Sequence, residues 1–386
     1  MTTEPTMPTD DRPAAIIFRK RLLPWSETFI AAQGGSLRRY RPVFVGFREL
    51  PAGAAYLDGQ DRVVLEDHAF SRNISKALLK GFGWVTPRWR RALEARRPAV
   101  MHVHFGVNAP NAMPIARTLG IPIVVTYHGM DIAIERRGRR VRRERQRIFR
   151  RAQRIIAVSG FIAELLREAG CPETKLVVHH IGIDTDRFAP GPAAERADAR
   201  ILFVGRLVPK KGFIHLLRAM PRVLRAVPDA EIVVAGDGPL RTDLEGTARR
   251  LRVPCRFLGV QTPDRVRRLM RESTLLCAPS IVAGDGNAEG LPMTVVEAQA
   301  SGLPVVAFPS GGLSEGVVDG ETGLIAPPRD EAALAQRLVT LLEDRDRRAR
   351  FSEAARAHAV RNFDLKRQTT KLEAIYDAAR AGAGSF

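Results

Sequence analysis

Short runs of β-branched and aliphatic residues alternate with longer stretches of helical period along almost the whole chain. That alternation is the signature of parallel sheets assembled from βαβ units. In the first half it predicts strands at Ala15–Phe18, Val43–Phe47, Val63–Glu66, Val100–His104, Ile123–Tyr127, Arg154–Val158 and Leu176–His179. Residues 189–200, APGPAAERADAR, break the pattern and read as a linker. The alternation then restarts, with strands predicted at Ile201–Val204, Glu231–Ala235, Cys255–Leu258, Leu275–Ala278 and Pro304–Phe308. A short strand near Gly323–Ala326 and helices over Glu331–Glu343 and Phe363–Ala381 follow. The expectation is an α/β chain with two doubly wound, Rossmann-like parallel-sheet units at 14–188 and 201–362. A flexible stretch (1–13) precedes them and a closing segment (363–386) follows. Ligands of open α/β sheets bind beyond the carboxyl ends of the strands, so two units in series can hold a substrate pair in the cleft between them.

Composition narrows this picture. A chain of 386 residues with 45% hydrophobic content supports two cores and argues against global disorder. No run of 18 apolar residues suggests a membrane-spanning helix. The start, MTTEPTMPTDDRPAA, lacks the basic-then-apolar order of a secretory signal. Cys171, Cys255 and Cys277 are scattered and odd in number, which suits a reducing cytosol better than a disulfide framework or a zinc site. The net charge of +19 favours polyanionic partners: nucleic acid, anionic headgroups or phosphorylated substrates. Part of it is concentrated in residues 136–154, RRGRRVRRERQRIFRRAQR. This is either a solvated amphipathic helix with Ile148 and Phe149 turned inward or a surface for lipid or another polyanion, and the two readings can coexist. Aromatics are few (6%) and no nucleic-acid-binding motif appears, which counts against the first class of partner.

The candidate chemistry lies at strand ends. ILFVGRLVPKKG ends a buried strand at Gly205, and Arg206, Lys210, Lys211 and Gly212 lead into a helix. Glycine permits close backbone approach, and a helix N-terminus beside Arg and Lys is an anion site suited to a diphosphate. EIVVAGDGP repeats the strand-to-glycine pattern at Gly236, Asp237 and Gly238, but the GxGxxG spacing is absent and a hydride-transfer domain is poorly supported. In GDGNAEGLPMTVVEAQASGLPV, Pro292 suits a first helical turn. Glu289 then precedes the helix, Glu297 lies within it, and Gly290 and Leu291 complete the loop. Carboxylates accept paired hydrogen bonds from vicinal diols, so sugar rings suit them. The bland alternatives are an ion pair for Glu297 and helix-dipole stabilisation for Glu289. In the first unit VTYHGMD places His128, Gly129 and Asp131 beyond a strand, with His102 and His104 as weaker candidates. PWSETFI offers Ser26 as a helix N-cap and Glu27 in the first turn, both expected to reach the cleft. Asp184-Thr-Asp186 is an acidic pair with only a slight case for metal binding.

Together these segments resemble a family 4 glycosyltransferase. The most specific is AEGLPMTVVEAQASGLPVVA, which is similar to that family's glutamate–seven–glutamate motif; VGRLVPKKG, VAGDGP, GGLSEGVVDGETGLIAPP and IGIDTDRF also match. The resemblance covers most of residues 14–380 and implies the two-domain GT-B fold and retention of anomeric configuration. It implies that Arg206 and Lys211 neutralise the departing diphosphate, and that Glu297 binds the nucleotide ribose. Glu289, with the backbone of Gly290, Leu291 and Pro292, would hold the donor sugar, and His128 would lie near it. The turn at Gly236, Asp237 and Gly238 would lie close to the nucleotide, and the C-terminal helix would cross back onto the first unit. PWSETFI stands where many members carry a Gly-rich loop; similar starts occur in the subgroup acting on exopolysaccharide and other envelope glycans. The implied partners are a nucleotide-diphosphate sugar and a lipid-linked or glycan acceptor, with no metal cofactor and no nucleic acid. The expected location is the cytoplasm, with contact at the inner face of the membrane left open. A nucleotide-sugar epimerase on the same fold, and a basic nucleic-acid-binding protein, remain alternatives at this point.

Overall fold

Parallel strands buried on both faces need near-continuous apolar sequence, and the chain supplies it twice. The computed structural model describes residues 10–24, 27–65, 75, 77–79, 81–134, 138–192, 197–284 and 286–382. The first sheet comprises β1 (Ala14–Phe18), β2 (Arg41–Gly46), β3 (Arg62–Val64), β4 (Pro98–His104), β5 (Ile123–Tyr127), β6 (Arg154–Ala157) and β7 (Leu176–Val178). The second comprises β8 (Arg200–Val204), β9 (Glu231–Ala235), β10 (Cys255–Phe257), β11 (Leu275–Ala278), β12 (Val305–Ala307) and β13 (Gly323–Ile325). Their spatial orders are β3-β2-β1-β4-β5-β6-β7 and β10-β9-β8-β11-β12-β13, parallel throughout. Each is doubly wound, as the sequence pattern predicts. Each order reverses beside its first strand, and the crevice at that reversal is where such sheets receive ligands.

The predicted strands are all present, and their ends move by one or two residues because the neighbouring strand sets them. β3 is short because its register, Arg62 to Val64 against Phe44 to Gly46, runs out where β2 ends. The expected end at Glu66 lies outside the described residues. Phe47 leaves β2 to set its ring 5.7 Å from those of Phe18 and Trp89.

The chain returns to the first sheet at its end. Helix Arg345–Phe363 stops at Asp364, whose carboxylate accepts the Arg367 amide (3.0 Å) and caps helix Leu365–Ala381. Ile183 bridges the break: its amide donates to the Phe363 carbonyl and its carbonyl accepts from the Leu365 amide, both at 2.8 Å. Leu372, Tyr376 and Ala379 of the last helix share a buried cluster with Ala15, Ile17, Tyr40, Val100 and Val124. Buried Glu373 accepts the amides of Arg38 (2.7 Å) and Arg39 (2.6 Å).

Glu373→Ala strands two amides and is expected to cost about 2 kcal/mol of stability. Glu94→Ala removes an ion pair with Arg90 whose partners are 55% and 44% exposed, and should cost less than about 1 kcal/mol. Urea midpoints of the two variants measure the difference; equal shifts would remove the special role of Glu373.

Candidate active site

The second sheet builds its ligand face from glycines that pack on each other. A Cβ on Gly236 would run into the carbonyl of Gly205, and one on Gly238 would meet the Leu207 carbonyl. The Gly205 amide donates to Ala235 (3.0 Å) and the Leu207 amide to Asp237 (2.9 Å), so the loops after β8 and β9 close together. The expectation for these glycines was close approach to a ligand. Gly205 and Gly236 do line a cavity, but Gly236 and Gly238 are required first by this loop packing, and Gly238 lies behind the wall. Gly212, at φ +64°, turns the chain against the Pro279 carbonyl and starts helix Phe213–Ala226, which fixes Lys211 in the preceding turn.

The cavity measures about 320 Å³ and lies between the two sheets. Gly205, Arg206, Lys211, Gly236, Asp237 and Glu297 line it, as do Thr28 and Phe29 from the first unit. Val260, Pro263, Val266 and Phe188 supply apolar wall, and Gln261 adds an amide. Such a lining can stack a flat ring at one end and meet anionic and hydroxyl groups at the other. Arg206 is exposed there and has no acidic partner among the described residues.

Glu289 sits behind the cavity rather than on its wall. Its carboxylate is buried, 2.9 Å from Lys211 Nζ, 3.6 Å from Lys210 Nζ and 3.0 Å from the Ser280 hydroxyl. Burial alone would raise its pKa, but the two ammoniums outweigh it and hold the group down at about 2. The helix-dipole alternative is therefore not needed to explain it. Lys210, Lys211 and Arg206 against Glu289 leave two net positive charges at this end of the cavity, which suits a dianionic group. Asp237 is tied to Arg241 (2.8 Å) and to the Gly238 amide (2.7 Å).

Glu297 projects from helix Met293–Ala300 onto the cavity wall. Among the described residues no donor reaches its carboxylate, which removes the ion-pair alternative. Burial pushes it up to about 8, against a modest opposing effect of Arg187. A hydroxyl-bearing ligand would supply the missing partners. Pro292 is the N-cap of this helix rather than part of its first turn.

Gly290, Leu291 and Pro292 do not line the cavity. They join the two units. A Cβ on Gly290 would run into the His128 carbonyl, and Gly129, at φ +122°, lies against Gly290 in turn. Leu291 is buried with the apolar core of the first unit. The absence of a side chain at Gly290 serves this contact between backbones. A second tie lies alongside: Glu315 accepts the Gly160 (2.9 Å) and Phe161 (3.2 Å) amides at the start of helix Gly160–Glu168 and pairs with His180 (3.0 Å). Burial opposes its charge, but His180 and the two amides hold its pKa low.

In the first unit His128 is half-buried, with its ring stacked near Phe105 (4.3 Å between centroids) and His104 (5.4 Å). Its Nε2 is 3.2 Å from His104 Nδ1, and burial lowers its pKa to about 3, so it is neutral. His102 is buried between the hydroxyls of Tyr376 (2.7 Å) and Thr126 (2.6 Å), a structural place. Asp131 does not face the cleft. It is buried and accepts the amides of Gly106 (2.9 Å), His128 (3.0 Å) and Gly129 (2.9 Å), shaping the loop that carries His128; burial raises its pKa. Glu27 is the N-cap residue of helix Thr28–Gly35, not a first-turn residue. Its carboxylate is committed to Arg19 (2.7 and 2.6 Å), whose guanidinium lies 4.4 Å over the Phe105 ring. Ser26 lies outside the described residues. Asp184 accepts the amides of Asp186 and Arg187 in its own turn, and Asp186 pairs with Lys366 (3.0 Å).

Sequence reading missed Phe29, Phe188, Gln261 and Pro263 in the cavity, Ser280 behind it and Glu315 beside it. Gly259 after β10 repeats the strand-to-glycine signal of Gly205 and Gly236 and could have flagged Gln261.

Two family models match the chain: "Glycosyltransferase Family 4" over residues 26–187 and "Glycosyl transferases group 1" over 184–358. WcaL of Escherichia coli (strain K12), named for colanic acid biosynthesis, is 30% identical over 73% of this chain and 71% of its own. A GDP-mannose-dependent alpha-(1-6)-phosphatidylinositol monomannoside mannosyltransferase of Mycobacterium tuberculosis (strain H37Rv) is 33% identical over 72% of this chain and 77% of its own. Among solved structures, Anabaena Alr3699/HepE with UDP and glucose matches at a TM-score of 0.78 and 20% identity, over 95% of this chain and 100% of that one.

The two glutamates are expected to pull stability in opposite directions with pH. Glu297 has a folded value of about 8 against an ordinary 4.5, so its neutral form favours folding and stability falls as pH rises between those values. Glu289 has a folded value of about 2, so its contribution is present above 4.5 and lost as pH falls toward 2. In thermal melts Glu297→Gln should flatten the slope from pH 5 to 8, and Glu289→Gln should soften the loss below about 4.5. An unaltered alkaline slope in Glu297→Gln would contradict the first assignment.

Proposed function

The chain belongs to the group 1, family 4 glycosyltransferases, with their two-sheet GT-B fold, and from that premise we propose that it transfers a hexose from a nucleoside-diphosphate sugar to an acceptor hydroxyl with retention of anomeric configuration. The proposed acceptor is a lipid-linked or other glycan in the synthesis of an exopolysaccharide or related envelope polymer. One observation carries the reading. Arg206, Lys211 and Glu297 meet on one cavity, with Glu289 directly behind Lys211. This supplies fixed cations for a diphosphate and acceptors for hydroxyls within one ligand's length. The names of the relatives add support: one acts on GDP-mannose, one is placed in colanic acid biosynthesis, and the structural neighbour was solved with UDP and glucose.

In this mechanism the flat apolar end of the cavity takes the base, and Glu297 accepts hydrogen bonds from the ribose. Binding a diol there exchanges a neutral, unpartnered carboxyl for an ionised, hydrogen-bonded one. Arg206 and Lys211 face the diphosphate. The acceptor oxygen bonds to the anomeric carbon as the bond from that carbon to the β-phosphate oxygen breaks; the electron pair stays on phosphate, and the acceptor proton passes to that departing oxygen. The charge growing on the leaving group is the main electrostatic cost, and preorganised cations meet it without a metal. Same-face attack fits this site better than double displacement. The carboxylate oxygens of Glu289 are already engaged by Lys211, Lys210 and Ser280, which makes it a poor nucleophile.

Arg206→Ala is the clean test, because the side chain is exposed and makes no acidic contact among the described residues. It should lower kcat by about 10²–10³ with an unchanged melting temperature. Lys211→Ala should lower kcat similarly but also destabilise, since it leaves Glu289 less well compensated. Calorimetry with UDP, GDP and their sugars, followed by mass spectrometry of the product and NMR of its anomeric proton, tests the reaction. Consumption of donor without acceptor would point to epimerisation, and an inverted product or a requirement for divalent metal would overturn the mechanism.

A further inference from the structure

We propose that the outer face of the first unit, around helix Arg139–Arg151 and the loop at Phe82–Trp84, is a docking surface for an anionic phospholipid bilayer. The helix buries Ile148 and Phe149 and exposes seven arginines: 139, 140, 142, 143, 147, 150 and 151. Of these, Arg140 alone has an acidic neighbour among the described residues, Glu144 at 3.9 Å. A solvated amphipathic helix normally intersperses acids among its bases; this one leaves its bases uncompensated.

The apolar half of the surface stands beside it. Phe82 is 82% exposed and Trp84 47%, the first an unusual position for a phenylalanine of a freely soluble protein. Phe82 and Gly83 lie on helix Ala109–Leu119, where they wall a hollow of about 140 Å³ with Pro114, Arg117, Arg147 and Arg151. A second hollow, about 490 Å³, opens on the other side of Arg151 and is walled by Arg150, Arg154 and Lys175. Lys175 Nζ is itself fixed by the Phe149 (3.0 Å) and Arg150 (2.7 Å) carbonyls at the helix end. Exposed aromatic side chains flanked by arginine-walled hollows suit a bilayer interface. Rings enter the acyl boundary while guanidiniums take headgroup phosphates bidentately. A nucleic-acid duplex would satisfy the arginines but leave Phe82 in water, whereas a bilayer takes both; a single strand that stacks a base on Phe82 is the competing outcome that the RNA arm of the test reads.

The smaller hollow begins on the cleft side of the first sheet, and the larger one lies at the opposite edge, where β6 and β7 begin. Helix Ala109–Leu119 starts just beyond His104, whose carbonyl accepts the Asn108 side-chain amide (2.6 Å), and Pro110 in its first turn borders the smaller hollow. The surface itself stands whether or not the proposed transfer reaction does.

Co-sedimentation of the full chain with vesicles of phosphatidylcholine, with and without phosphatidylglycerol, tests the proposal. Binding is expected only with the anionic lipid and should weaken with added salt. Each arginine near the surface contributes about five-fold to partitioning, so Arg147→Gln with Arg151→Gln should reduce it about 25-fold. Phe82→Ser should reduce it about ten-fold at fixed lipid charge. Circular dichroism, melting temperature and transfer to a water-soluble acceptor should be unchanged in both variants, which separates failure of this surface from failure of the active-site reading. Equal binding to neutral and anionic vesicles, or wild-type binding by the variants, would overturn the proposal. So would arginine-dependent binding of RNA or heparin without vesicle binding.

Discussion

The cleft between the two sheets is organised around a desolvated carboxylate held by two ammoniums. Glu289 lies in a place that water does not reach, and an isolated charge there would be costly. Lys211 and Lys210 compensate it, and through them the loop after β8 is fastened to the loop after β11. Those loops begin on neighbouring strands, at the point where the order of the second sheet reverses. The pair therefore does more than stabilise one turn. It aims Lys211 at the cavity, leaves Arg206 without an acidic partner among the described residues, and carries the chain forward into Gly290 and the helix bearing Glu297.

Around that pair the two units are joined by contacts that tolerate little change. The backbones at His128–Gly129 and Gly290 meet so closely that a methyl group at Gly290 has no room. Leu291 extends the apolar core of the first unit, and Glu315 caps one of its helices. The last helix adds a further anchor through Glu373 and Tyr376. Tyr376 also reaches His102, which stacks beside His104, the neighbour of His128. The terminal helix and the histidine loop are thus connected by a row of buried, neutral rings, and the geometry at the cleft depends on the closing segment of the chain.

The fold was legible in the sequence because burial on both faces of a parallel strand leaves an unbroken apolar run that few other structures require. Strands such as Ile123–Tyr127 and Glu231–Ala235 could be bounded to the residue. The strands that shifted did so where a partner ran out, as at β3, and no single segment records its partner's length. Of the candidate site, strand-end Gly205, Arg206, Lys211, Gly236 and Asp237, with Glu297 on its helix, were found by local pattern alone and do converge on one cavity. Glu27 and Asp131 are spent within the protein. A carboxylate near a strand end looks the same in sequence whether it faces a ligand, Arg19 or a ring of backbone amides.

What the chain determined by itself was therefore local: apolar periodicity set the strands and helices, glycines set the tight turns, and motif spacing set which charged groups stand at strand ends. Only the tertiary arrangement decided which of those charges are spent on the protein and which stay open. Lys211 meets Glu289, Glu27 meets Arg19, and Asp131 meets the amides of Gly106, His128 and Gly129, while Arg206 and Glu297 keep their faces to the cavity. The physical reason is that the cost of a charge depends on distance to its neighbours and on access of water, and both are set by residues far apart along the chain.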